Sequence, residues 1–160
     1  MTKQAFTLAE VLITLGIIGV VATMTLPALI QTNKNAEVEV KLKKVYSVMN
    51  QAILRSEIDN GPKEYWNFSD ANFFDKYFAP YLQEVSVKKF QSFGGQNMAV
   101  YFSDGSVLVG KQVYDYFYFP NAKNFDAESF ATTSETGSLM GRKDCGITYF
   151  AFQFAPAWND

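Results

Sequence analysis

The chain has 160 residues, 48% of them hydrophobic and 16% aromatic, with 14 Lys and Arg against 16 Asp and Glu for a net charge of −2. It has no histidine and one cysteine, Cys145. A histidine base, a histidine metal ligand and a Cys/His nucleophile pair are therefore all excluded, and so near a balance of charge gives no support to a nucleic-acid partner, which needs a basic stripe.

The first five residues, MTKQA, are short and polar with one cation, Lys3. They abut residues 6–30, FTLAEVLITLGIIGVVATMTLPALI. From 11 to 30 there are about 20 residues without a charge, and at 1.5 Å per residue a helix of that length covers the roughly 30 Å hydrocarbon core of a bilayer. The segment therefore belongs in a membrane at some stage. A secretory signal peptide is the weaker reading, because its apolar region runs only about 7 to 15 residues and contains no acid. Glu10 is the anomaly. A carboxylate costs up to ~3 kcal/mol at the bilayer centre and less near the headgroups, so it implies a partner or a function. One role is local: Thr7-Leu8-Ala9-Glu10 fits the S/T-x-x-E capping box, and the helix dipole favours an acid there. The other is intermolecular, and one carboxylate can serve both.

Lys3-Gln4-Ala5-Phe6-Thr7-Leu8-Ala9-Glu10-Val11-Leu12-Ile13 resembles the leader and mature start of type IV pilins and pseudopilins. The resemblance is strong over about the first 30 residues and extends to the rest only in layout. It implies cleavage by a prepilin peptidase between Ala5 and Phe6, methylation of the new amine on Phe6, and Glu10 as the fifth residue of the mature chain. Ala5 stands where the family prefers Gly, which bears on processing efficiency. On this resemblance the Phe6 amine of one subunit neutralises the Glu10 carboxylate of the next. In low dielectric either charge left alone is costly, so the pair fixes the register of assembly.

Gly16 and Gly19 stand at a spacing that lets membrane helices approach closely. Pro27 removes a backbone donor and crowds the preceding turn. Glycine and proline are also simply more frequent in membrane helices. By resemblance to pilins, residues 19–27 could lose helicity in a filament and let it extend under load. Orientation is contested within the sequence. Lys34, Lys41, Lys43 and Lys44 follow the span and only Lys3 precedes it, which by positive charge alone puts the carboxyl side in the cytoplasm. The leader must meet its peptidase there, which favours a cytoplasmic amino terminus.

Beyond residue 30, Val38, Leu42, Val45, Met49 and Ala52 recur at spacings of four and three with Ile53 alongside, an amphipathic helix. Glu39, Lys43, Lys44, Asn50 and Arg55 occupy its other face, solvated or lining neighbouring subunits. Asp59-Asn60-Gly61-Pro62 supplies a C-cap and a breaker. A continuous helix over 6–58 is about 80 Å long.

The remaining 100 residues or so suit one small core and are too few for two. Ser69 is placed to cap a short helix over 70–78 ended by Pro80. Strands at 98–102 and 106–110 flank the turn signal Asp104-Gly105. Phe150, Phe152 and Phe154 share one face of a further strand and Tyr149, Ala151 and Gln153 the other. The expected fold is α+β: a long N-terminal helix, transmembrane then amphipathic, packed against a small antiparallel sheet.

The run Tyr114 to Phe119 could stack on bases or sugars, but core and subunit contacts are the better reading. Asp104, Asp115, Asp126 and Asp144 lack a calcium-loop spacing and read as turn or solvated residues. Residues 121–142 form a long surface loop. Cys145 is expected buried.

The sequence therefore describes a non-enzymatic prepilin or pseudopilin with no cofactor and no metal: leader 1–5, transmembrane and filament-core helix 6–30, amphipathic helix 31–60, head 61–160. Its expected partners are the prepilin peptidase, other pilin-type subunits and an inner-membrane assembly platform. It would sit in the bacterial inner membrane with an external head, then in a type IV pilus or type II secretion pseudopilus. The alternatives are a minor tip pilin that binds DNA or a surface, and an anchored domain that never polymerises.

Overall fold

A computed structural model describes residues 7–68, 70, 72–83, 85–92, 95–110, 115–128, 130 and 144–154, with backbone alone at 91, 92, 95, 96 and 115. Contacts divide the chain into two compact units, 1–40 and 41–160.

One helix, α1, runs Leu8–Asn60 for 53 residues, with Pro27 inside it. It contains a stretch long and apolar enough to cross a membrane. Its end is set by Gly61, whose φ of 76° is a conformation that favours glycine. The Trp66 indole donates to the Gly61 carbonyl at 2.8 Å, and Glu57 accepts from the Lys63 amide at 3.1 Å, so the chain is turned sharply back after the helix.

The second unit is built on a five-stranded antiparallel meander in the order β1-β2-β3-β4-β5. The strands are β1 Val85–Ser92, β2 Gly95–Phe102, β3 Val107–Gly110, β4 Asp115–Phe119 and β5 Phe150–Gln153. Asp104 and Gly105 make the β2–β3 turn: Gly105 takes φ 77°, and Asp104 Oδ1 accepts from the amide and hydroxyl of Ser106 at 3.1 and 2.5 Å. Strands β1 and β4, beyond those expected from the sequence pattern, complete the sheet. The helix expected over 70–78 is a shorter one, α2 Phe73–Tyr77, whose N-cap residue Asn72 makes no side-chain capping bond, while its amide donates to Asp70 Oδ1 at 2.8 Å; Ser69 lies outside the described residues.

Period-two alternation sorts the sheet residues onto two apolar faces. On one, Val100, Leu108, Tyr116 and Tyr118 pack with Val45, Met49, Ala52 and Ile53 of α1 and with Trp66, Phe73, Phe74, Tyr77 and Phe78. Trp66 stacks on Tyr77 at 4.5 Å between centroids. On the other, Ala99, Val107, Val109, Phe117 and Phe119 pack with Phe130 and Tyr149. The expectation of one core is corrected: the sheet is covered on both sides, and every residue of β3 is buried. Phe152 and Phe154 join the first cluster and Ala151 the second, as their alternation requires. The aromatic run at 116–119 is buried, which withdraws those four rings from any role as exposed stacking platforms.

Polar contacts tie α1 to this sheet. Lys44 Nζ meets Asp104 Oδ2 at 2.8 Å, Lys41 Nζ donates to the Pro120 carbonyl at 3.0 Å, and the Tyr118 hydroxyl donates to the Lys41 carbonyl at 3.4 Å. Lys44, expected from the sequence to be solvated or to line a neighbouring subunit, instead pairs with Asp104 while remaining partly exposed. Burial pushes the Asp104 carboxyl up, but the Lys44 ion pair and the Ser106 bonds outweigh it and leave it below the ordinary carboxylate range. Burial also drives the Tyr118 phenol up to about 12.

Candidate functional site

The start of α1 carries the chemistry. Glu10 Oε2 accepts from the Thr7 amide and from the Thr7 hydroxyl, each at 2.8 Å. In return the Glu10 amide donates to Thr7 Oγ1 at 3.3 Å, and Val11 N–H donates to the Thr7 carbonyl at 3.2 Å. This is the reciprocal capping box expected from the spacing. It satisfies donors that a helix start leaves open, and Glu10 remains exposed. Ala5 and Phe6, the residues on either side of the expected cut, lie outside the described residues.

Past Glu10 the helix presents bare apolar surface: Leu12, Ile13, Leu15, Ile17, Ile18, Met24 and Leu29 are among its exposed side chains. Its threonines do not add polarity to that surface. Thr14 donates to the Val11 carbonyl at 2.9 Å, Thr23 to Val20 at 2.8 Å, Thr25 to Val21 at 3.1 Å and Thr32 to Ala28 at 3.0 Å. Hydroxyls spent in this way on the helix's own carbonyls let a helix enter hydrocarbon without an unsatisfied donor. Sequence reasoning overlooked them, although threonine inside an apolar helix is itself the signal. A Cβ built on Gly16 or Gly19 meets no atom within 4 Å, so neither glycine is required by the packing of this chain on itself.

Residues 28–160 match the Family of unknown function (DUF6613). The chain belongs to that family. Residues 1–26 match the prokaryotic N-terminal methylation motif, so this member of the family begins as type IV pilins and pseudopilins do. The motif implies processing by a prepilin peptidase and assembly with other pilin-type subunits, and the long apolar helix that carries it fits an inner-membrane anchor. No curated protein and no solved structure matches the chain.

Elsewhere, no three His, Cys, Asp or Glu side chains gather as a metal site among the described residues. Asp104 is engaged by Lys44 and Ser106. Cys145, expected buried, is half-buried and lines an apolar groove with Leu42, Tyr46, Phe150 and Phe152. No sequence signal announced that groove, because α1 and β5 lie about 100 residues apart.

Proposed function

We propose that the chain is a structural, non-enzymatic subunit of a type IV pilus or type II secretion pseudopilus. The observation that carries this reading is the meeting, at one helix start, of the methylation motif, a capped carboxylate at Glu10 and an apolar surface that its own chain leaves bare. Cleavage between Ala5 and Phe6 generates an amine next to Thr7, about one helical turn from Glu10. The amino terminus lies in the cytoplasm and the head outside. Residues 6–30 form the filament core, 31–60 carry the amphipathic half of the helix, and 61–160 form the head.

Assembly then follows from charge. In the unassembled subunit the Thr7 donors hold the Glu10 carboxylate. In the filament the methylated Phe6 amine of a neighbour supplies the counter-charge, and a subunit out of register leaves both charges unpaired in low dielectric. Gly16 and Gly19 admit close approach of neighbouring helices, and Pro27 weakens the helix so that it can extend. An assembly platform in the inner membrane extracts the subunit.

Intact mass and amino-terminal sequencing of the purified protein test the processing step. The expected amino terminus is a methylated Phe6, and a chain that still begins with Met1 defeats the reading. Glu10→Leu is expected to leave membrane insertion intact and to abolish incorporation into filaments.

A further inference from the structure

The sheet ends in two edge strands, β1 and β5, and they are guarded differently. Strand β1 carries Lys88, which lies over the Tyr101 ring at 5.3 Å, and Lys89, which pairs with Asp75. Charges of this kind on an edge discourage pairing with another chain. Strand β5 reads Phe150-Ala151-Phe152-Gln153 and has no charge. Among the described residues no strand lies on its outer side, and Phe150, Ala151 and Phe152 are only half-buried, whereas every residue of β3 is buried. Between β5 and α1 runs a groove of about 620 Å³, lined chiefly by Leu42, Tyr46, Cys145, Phe150 and Phe152, and Tyr46 is 58% exposed. An uncharged aromatic edge beside an apolar groove calls for a cover.

We propose that residues 155–160, Ala-Pro-Ala-Trp-Asn-Asp, fold back along the outer side of β5 and seat Trp158 in this groove. They lie outside the described residues and follow directly on Phe154. Reach selects this occupant. Phe154 to Ala151 is three strand residues, about 10 Å, and the four residues from Phe154 to Trp158 extend to about 14 Å. Chemistry selects it too. Pro156 has no amide with which to extend a ladder and is a turn residue, so the chain leaves the line of β5 there. Trp158 is the one large apolar side chain of the six; its ring offers an apolar face to Phe150, Phe152 and Leu42 while its N–H keeps to water at the mouth of the groove. Docked in this way, the segment closes the edge that its composition leaves unguarded. The contact lies within one subunit and stands apart from the filament reading.

Cys145, the only cysteine, is the reporter for the test. The full-length chain, monomeric in detergent, is treated with iodoacetamide and the alkylation is followed by intact mass, with near-ultraviolet circular dichroism to confirm that each variant is folded. Trp158→Ala is expected to speed alkylation several-fold, and Trp158→Phe to keep a rate near that of the wild type. A second measurement needs no variant, because Trp66 is buried and Trp158 is the only other tryptophan. Acrylamide should quench neither emitter strongly if Trp158 is docked, and one of the two strongly if it is not. A wild-type alkylation rate in Trp158→Ala, or a strongly quenched Trp158, would overturn the proposal. So would a Cys145 that reacts fast in monomers and slowly only in filaments, which would place a second copy in the groove.

Discussion

The two units of this protein use the same apolar residues to opposite ends. In residues 8–30 leucine, isoleucine and valine stay exposed along the helix, whereas in 41–160 Val45, Ile53, Val100, Val107, Leu108 and Val109 sink to a few per cent exposure between α1, the sheet and the segments on its far face. Hydrophobicity therefore says that a side chain leaves water and not where it goes. The second unit answers with its own fold. The first leaves its apolar side chains bare along residues 8–30, where Glu10, the one acid of that stretch, accepts from Thr7.

This contrast is easiest to break in the core. Leu108→Ala, at a fully buried position, is expected to destabilise the 41–160 unit by about 3 kcal/mol. Leu15→Ala, on exposed surface, should stay within about 0.5 kcal/mol. Both are read as near-ultraviolet circular dichroism melts of the full chain in detergent. Equal losses from the two would mean the units are not independent in the way described.

A pair of glycine substitutions sharpens the comparison. A Cβ on Gly110 lies 2.8 Å from Met98 Cε and 3.2 Å from Tyr116 Cε1. The methionine end can swing aside but the ring is held in the core, so Gly110→Ala is expected to cost about 1 to 2 kcal/mol in the same melt. Gly16→Ala and Gly19→Ala meet nothing in their own chain. Any effect they have on filament yield, measured by shearing and electron microscopy, reports the approach of a neighbouring helix.

Tyr116 offers a gain. Its hydroxyl is buried with no hydrogen-bond partner among the described residues, and burial raises its pKa. Tyr116→Phe is expected to raise stability by about 1 kcal/mol; a loss of that size would point to a partner that the phenol serves.

The smallest effect is electrostatic. The Lys44–Asp104 pair is only partly buried, so Asp104→Asn should cost about 0.5 to 1 kcal/mol. Because the folded-state pKa of Asp104 is lowered, the contribution is present above the ordinary carboxylate pKa of about 4 and is lost as pH falls through the lowered value. Melts from pH 7 down to 2.5 should show the wild type converging on Asp104→Asn at the acid end.

Much of this was legible in the residues. Local rules read the capping box at Thr7 and Glu10, the stop at Gly61 and the turn at Asp104-Gly105, because each depends on atoms within a few residues. The amphipathic stripe named Val45, Met49, Ala52 and Ile53, and these are buried. Strand β1 escaped notice because Lys88 and Lys89 interrupt its pattern at the sheet edge, where charged side chains guard against further pairing. The second core went unseen because Val107, Leu108 and Val109 do not alternate in polarity, and a strand covered on both faces gives no sign of which element covers it.

By itself, then, the sequence determined the long apolar helix, its capped acid, its N-terminal methylation motif and the α+β character of the chain beyond the helix, since all of these arise from local periodicity, capping and composition. Only the tertiary structure decided that the sheet is a five-stranded meander clothed on both faces, that Lys44 reaches Asp104, and that Leu42, Tyr46, Cys145 and Phe150 share one groove. The ion pair and the groove bring together residues 60 to 100 or so positions apart, and the cover on each face of the sheet is settled by packing over the whole unit, which no short stretch of chain encodes.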